Sequence, residues 1–349
     1  MTDLLPGISL RHVDTARVRT GVLVDDRTEG EAVVLVHGNV SSSIFWQETM
    51  LALPAGFRAF APDLRGFGET ETAPVDATRG LGDFADDVVA LLDALGVEKA
   101  HLVGWSMGGG VVSRILLDAP ERMASLTLVA PVSPYGFGGT KGADGVRTTA
   151  DDAGTGGGGA NPEFVAALQA GDRGEESPNS PRNVLNGFYV ADGFRSPLEE
   201  EYVDSMLTTR TGDDNYPGDA ATSENWPGFA AGTRGVLNTM APSYHDVSGI
   251  VDLAVKPPVL WVHGTKDAIV ADESLFDLAT LGKLGAIPGW PGEDVAPPQP
   301  MKVQTRAVLD RYAANGGSYR EVELDAGHSP QVEKPAEFQA ALAAHLTGA

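Results

Sequence analysis

Residues 100–118 read Ala-His-Leu-Val-Gly-Trp-Ser-Met-Gly-Gly-Gly-Val-Val-Ser-Arg-Ile-Leu-Leu-Asp, and the two halves of this stretch carry different signals. Ala100 to Val103 is a short apolar run of the kind that forms a buried strand, and the run ending near Asp118 reads as a helix. Between them, Gly104-Trp105-Ser106-Met107-Gly108 sets Ser106 on a tight strand-to-helix turn. Glycines on both sides suit a strained backbone that neighbouring chains approach closely. Such a turn points the hydroxyl outward while the new helix aims its free N–H groups at the same space. Taken alone, the pentapeptide is also compatible with an ordinary glycine turn. The strand before it and the helix after it favour a nucleophile.

The same alternation extends in both directions. Val33–Val36, Phe57–Asp63, Ser125–Ala130, Pro258–Val262 and Tyr319–Leu324 each read as strands, and Ile8–Val24 supplies two antiparallel edge strands. From Asp83 to Leu95 the apolar residues Phe84, Val88, Leu91, Leu92 and Leu95 recur at spacings of three and four, with Gly96 placed to end that helix. Strands joined by helices predict an α/β fold with a mostly parallel central sheet flanked by helices. The rhythm fails between Pro134 and Gly249. Residues 135–249 are therefore expected to form an inserted, mainly helical cap, with short helices over 162–170, 198–207 and 225–240, on a core made of residues 1–134 and 250–349. A second excursion, residues 285–300, is proline-rich chain that reads as surface padding rather than chemistry, though its Trp290 could reach a pocket mouth.

Composition narrows the function classes. The 349 residues include 25 Lys and Arg against 48 Asp and Glu, a net charge of −23, so binding to nucleic acid or to an anionic membrane surface is not expected. Neutral or cationic small molecules are the favoured partners, and a homo-oligomer is compatible with the sequence. Without cysteine, thiolate nucleophiles, disulfides and cysteine metal sites are excluded. The opening Met1-Thr-Asp-Leu-Leu-Pro-Gly has neither a basic start nor an apolar stretch, and no window is long and apolar enough to span a bilayer, so a cytoplasmic protein is expected.

A serine hydroxyl needs a base, and the base needs an orienting partner. His328 follows the last strand in Asp325-Ala-Gly-His-Ser-Pro, which puts it at the same sheet edge as Ser106; the other six histidines lie within strands, helices or loops without that context. For the acid, the loop Pro131–Tyr135 holds no carboxylate, whereas His263-Gly-Thr-Lys-Asp267 places Asp267 in the turn after the fifth strand. Asp272 and Glu273 read instead as first-turn helix residues. The oxyanion requires preset donors, assigned to the backbone N–H groups of Met107 and Asn39, with Val40 one residue away as the alternative. His37 reads as a structural hydrogen-bond partner. Aromatic candidates for a substrate pocket are Trp105, Tyr135, Phe137, Phe188 and Trp226, each of which also has an ordinary packing explanation.

The segments V-V-L-V-H-G-N, P-D-L-R-G-F-G, L-V-G-W-S-M-G-G, V-H-G-T-K-D-A-I-V and A-G-H-S-P-Q-V-E-K-P-A-E-F together resemble the serine-dependent branch of the α/β-hydrolase superfamily. They span about residues 17–134 and 250 to the end, and the cap matches no subfamily. The resemblance implies cofactor-free hydrolysis of esters, lactones, amides or activated C–C bonds. It also implies that Asp63, Arg65, Gly66 and Gly68 form a structural turn tied to the strand end by a salt bridge and hydrogen bonds. The spacing from Asp267 to His328 exceeds the family's usual one because of the proline-rich excursion. A serine at position 106 argues against epoxide and haloalkane chemistry, since an ether on serine would be a dead end. The leading expectation is a carboxylesterase-like enzyme acting on a neutral ester or lactone through an acyl-enzyme. The rivals are perhydrolysis, C–C bond hydrolysis, and a small-molecule receptor with residual turnover.

Overall fold

The computed structural model describes residues 4–27 and 29–348; Met1–Asp3 of the opening segment, Thr28 and Ala349 lie outside the described residues. Eight strands form the central sheet: β1 (Ile8–Asp14), β2 (Arg19–Asp25), β3 (Glu31–Val36), β4 (Phe57–Pro62), β5 (Ala100–Trp105), β6 (Met123–Val129), β7 (Val259–Gly264) and β8 (Tyr319–Leu324). Their spatial order is β1-β2-β4-β3-β5-β6-β7-β8. β1 and β2 are antiparallel, as are β2 and β4, and every pairing from β4 to β8 is parallel. Parallel strands need helical crossovers that cover both faces, which is why Ala32 to Val36 and all of β5 are buried without alternation.

The helices are α1 (Gln47–Ala52), α2 (Gly82–Ala94), α3 (Met107–Asp118), α4 (Pro162–Ala170), α5 (Pro181–Val184), α6 (Glu199–Leu207), α7 (Leu278–Lys283), α8 (Met301–Ala314), α9 (Pro330–Glu333) and α10 (Pro335–Thr347). α2 buries Phe84, Val88, Leu91 and Leu92, and Gly96 closes it at a φ of +67°. α3 lies close against the strand it follows. A Cβ at Gly104 would stand 2.3 Å from the carbonyl oxygen of Gly108, so only glycine there lets the turn fold back.

The chain leaves β3 for β4 on one side, and the later strand β5 lies on the other. The strand order reverses between β3 and β5, and in open α/β sheets the carboxyl ends at such a reversal form a crevice. The loop after β3 and the turn after β5 flank it.

Asp63, after β4, accepts the backbone N–H of Ser43 at 2.7 Å and of Glu69 at 2.8 Å, although burial holds its carboxyl above the usual carboxylate range. The Arg65 salt bridge goes elsewhere than the expected strand end. It runs to α2, bidentate to Asp87 at 2.6 and 2.7 Å and to Asp83 at 3.6 Å, and so staples the turn to the helix packed beside α3.

Residues 135–249 contain α4, α5 and α6. They also hold three two-stranded ladders: Thr140–Lys141 with Val146–Arg147, Thr211–Gly212 with Tyr216–Pro217, and Ala220–Thr222 with Phe229–Ala231. The helix expected over 225–240 is absent. Pro227, Gly228, Gly232 and Gly235 interrupt it, Phe229–Ala231 pairs as a strand, and one helical turn survives at Leu237–Met240. Among the described residues, no helix is long and apolar enough to cross a membrane.

Candidate active site

Ser106 sits between β5 and α3 at φ +56° and ψ −120°, in the left-handed half of backbone space that a non-glycine residue occupies at a cost of roughly 1–3 kcal/mol. The surrounding turn over-determines it. Its N–H donates to Val129 O at 2.9 Å, and its carbonyl accepts from the N–H groups of Gly109 at 2.9 Å and Val132 at 3.0 Å. The side chain is half-buried and lines a cavity, and the first N–H groups of α3 start beside it without intrahelical partners. Gly38 faces it from the β3 loop: a Cβ at position 38 would stand 2.9 Å from the Ser106 Cβ.

His328 follows β8 and lines the same cavity. Its Nδ1 lies 3.0 Å from Asp267 Oδ2 and 3.1 Å from Oδ1, across 61 residues of sequence. Asp267 Oδ1 also accepts the N–H groups of Ile269 at 2.8 Å and Val270 at 2.9 Å, so the carboxylate is held by its own turn before it meets the imidazole. An Nδ1–H directed at Asp267 leaves Nε2 unprotonated and free to act as a base. Behind the ring, the Trp105 indole donates to His328 O at 2.8 Å.

The loop after β3 is held from two directions. His37 Nε2 accepts the Leu64 N–H at 2.9 Å, which puts the proton on Nδ1, donating to Gly38 O at 2.7 Å. From residues 135–249, the Tyr189 hydroxyl donates to Asn39 O at 2.8 Å. Asn39 and Val40 both line the cavity, and Val40 carries a φ of +44°, unusual for a β-branched residue. Burial pushes His37 down to about 4. Because the unfolded chain takes up this proton near pH 6.5 and the folded protein does not, His37 supports stability above pH 6.5. That support is lost as pH falls toward 4. The stability difference between the protein and a His37→Phe variant is expected to shrink over that window, at up to about 1.4 kcal/mol per pH unit in urea titrations.

The cavity has a volume of about 340 Å³ and is mostly apolar, with Phe137, Phe164, Phe188, Tyr216, Met240 and Phe276 among its walls. Of the aromatic candidates from sequence, Phe137 and Phe188 line it, the latter edge-on to Phe276 at 5.1 Å. The other three do not. Trp105 is fully buried against Phe45 behind His328, and Tyr135 turns away to accept a hydrogen bond from Arg311 at 2.6 Å. Trp226 lines a neighbouring cavity, and its indole donates to Pro288 O at 3.0 Å. Trp290 donates to Ala296 O within its own loop and packs on Gly282 rather than reaching a pocket mouth.

Two participants escaped the sequence reading. Tyr189 directly follows the selected Phe188, but its partner is 150 residues away. Glu333 lies in the motif after His328. Its carboxylate accepts the N–H groups of Gly327 and Ala191, both at 2.8 Å, joining the His328 loop to residues 135–249, and burial holds it above the usual range. Among the described residues no group of three or more His, Asp or Glu is arranged to hold a metal ion.

Comparison with known proteins places the chain in a family. A stretch of 102 residues, 29% of this chain, is 46% identical to a putative carbamate hydrolase, RutD, of Variovorax paradoxus, and covers 38% of that relative. A second stretch of 112 residues, 31% of this chain, is 38% identical to the 2-hydroxy-6-oxononadienedioate/2-hydroxy-6-oxononatrienedioate hydrolase of Comamonas testosteroni, covering 39% of it. The matched stretches thus span well under half the length of these relatives. Carboxylesterase YbfK (CesB) of Bacillus subtilis is 31% identical over 124 residues, which are 36% of this chain and 42% of that protein. Its crystal structure superposes with a TM-score of 0.60 over 98% of this chain and 92% of that one, at 17% identity. The family model described as the alpha/beta hydrolase fold matches residues 31–291, and the chain belongs to that family.

Proposed function

We propose that this protein is a serine hydrolase that cleaves a carboxylic ester or lactone of a neutral small molecule through an acyl-enzyme, with water as the second substrate. The observation carrying this reading is His328, paired with Asp267 at 3.0 Å and lining one cavity with a serine held at φ +56°. In the first step Ser106 Oγ attacks the carbonyl carbon while His328 Nε2 takes the hydroxyl proton, and the charge gathers on the carbonyl oxygen. The N–H groups of Met107 and Asn39 receive that oxyanion, each such donor contributing about 3–4 kcal/mol. Collapse breaks the ester C–O bond, and His328 returns the proton to the departing alcohol. Water then enters, gives its proton to Nε2 and attacks the acyl carbon. The second collapse frees the acid and restores Ser106. Asp267 holds the tautomer and offsets the imidazolium charge in both halves.

The cavity's charge supports an ester over the dienoate substrates in the names of some relatives. None of the described residues lining it is Lys or Arg, and its ionisable side chains are Asp277, His328 and two tyrosines. Burying a substrate carboxylate there, unpaired, would be costly. The test is a panel of p-nitrophenyl esters, lactones, amides and vinylogous diketones with and without a carboxylate. Uncharged esters or lactones are expected to show the highest kcat/KM. Turnover confined to carboxylated diketones would replace this reading with C–C hydrolysis.

A further inference from the structure

The proline-rich excursion and Trp226 have no part in the site above, yet they meet around a second cavity of about 210 Å³. Its walls include Thr148, Thr149, Trp226, Pro291 and Val295. It shares Gly154, Asp277 and Leu278 with the larger cavity, so those three residues are the whole thickness of wall where the two meet. At this neck Gly154 presents bare backbone at φ +81°, and a Cβ there would point into the gap between Pro227, 3.1 Å away, and Leu278, 3.9 Å away. Glycine leaves the wall there without a side chain.

Most of the polar side chains around the second cavity are already engaged. Thr148 Oγ1 donates to Gly139 O at 3.0 Å, and Thr149 Oγ1 accepts the Ala153 N–H at 2.9 Å. The Asp277 oxygens accept from Ala279 at 3.1 Å and Gln299 at 2.8 Å. Toward the cavity the methyl, pyrrolidine and indole surfaces of Val295, Pro291, Pro297 and Trp226 lie beside the side chains of Glu224 and Asn225. Glu224 at the edge and Asp277 at the neck disfavour an anionic occupant.

We propose that the second cavity is a distal subsite for the far apolar end of an elongated, uncharged ligand whose carbonyl end reaches Ser106. The assignment of that carbonyl end rests on the ester reading, and the subsite itself is tested without turnover. On Ser106→Ala protein, binding of methyl ketones from 2-hexanone to 2-dodecanone is measured by calorimetry. Affinity is expected to climb about fourfold per methylene across the series, the gain for burying one such group. Adding Val295→Asp, which sets a carboxylate in the outer cavity alone, is expected to cost the longest ketone at least tenfold relative to the shortest. Trp226→Ala should act in the same direction. Val255→Asp, at an exposed valine away from both cavities, serves as the control that keeps the slope. A slope unaltered by Val295→Asp, or one that flattens before the longer ketones in both proteins, would overturn the subsite. Wild-type turnover of p-nitrophenyl esters, run alongside, reports on the ester reading separately: long-ketone binding without ester cleavage keeps the subsite and removes the chemistry.

Discussion

Ser106→Ala is expected to reduce kcat for ester hydrolysis by on the order of 10⁵-fold or more, as removal of the nucleophile does in serine hydrolases, while circular dichroism and the urea midpoint stay close to the parent's. The proposed oxyanion donors, Met107 and Asn39, are backbone N–H groups that survive the substitution, so a residual acceleration over water is expected. The variant keeps the Cβ and the strained backbone and loses no hydrogen bond, since the hydroxyl makes none among the described residues. Intact-mass analysis after fluorophosphonate treatment should show a single adduct on the parent, mapped to Ser106, and none on the variant. An adduct at another residue, or full turnover by Ser106→Ala, would remove the nucleophile from the mechanism.

Asp267→Asn is expected to cost about 10⁴ in kcat with little change in KM. The local geometry dictates which way the new amide points. Oδ1 already accepts two N–H groups, from Ile269 and Val270, so the amide oxygen keeps that position and the NH₂ takes the place of Oδ2, 3.0 Å from His328 Nδ1. A donor facing Nδ1 forces the ring proton onto Nε2, and the base is lost with the fold intact. NMR of the imidazole N–H should report the tautomer directly. Retained activity with Nδ1 still protonated would show that another group orients His328.

How far each conclusion was legible depends on the range over which its physical signal acts. Strand β5, the turn at Ser106 and helix α3 are contiguous, and their apolar runs and glycines report a conformation set by neighbours in sequence. The same holds for the remaining sheet strands, and for His328 and Asp267, each recognisable as a chemistry-bearing residue just past a strand. The stretch 225–240 misled because its apolar residues hint at a helix while Pro227 and three glycines favour a strand and turns. The aromatic candidates misled for a different reason. Trp105, Tyr135 and Trp226 are large and apolar wherever they point, and only packing decides whether a ring faces a cavity or the core.

The sequence by itself determined the alternation of strands and helices, the acidic and thiol-free chemistry, and the order Ser106, Asp267, His328 along the chain. Tertiary structure alone decided that Asp267 and His328 share a hydrogen bond across 61 residues, that Tyr189 and Glu333 tie residues 135–249 to the loops of the site, and that Arg65 reaches α2. It also decided that the proline-rich excursion walls a second cavity. The physical reason is range: backbone preference and side-chain chemistry are written residue by residue, whereas direction, burial and partnership exist only once distant segments have packed together.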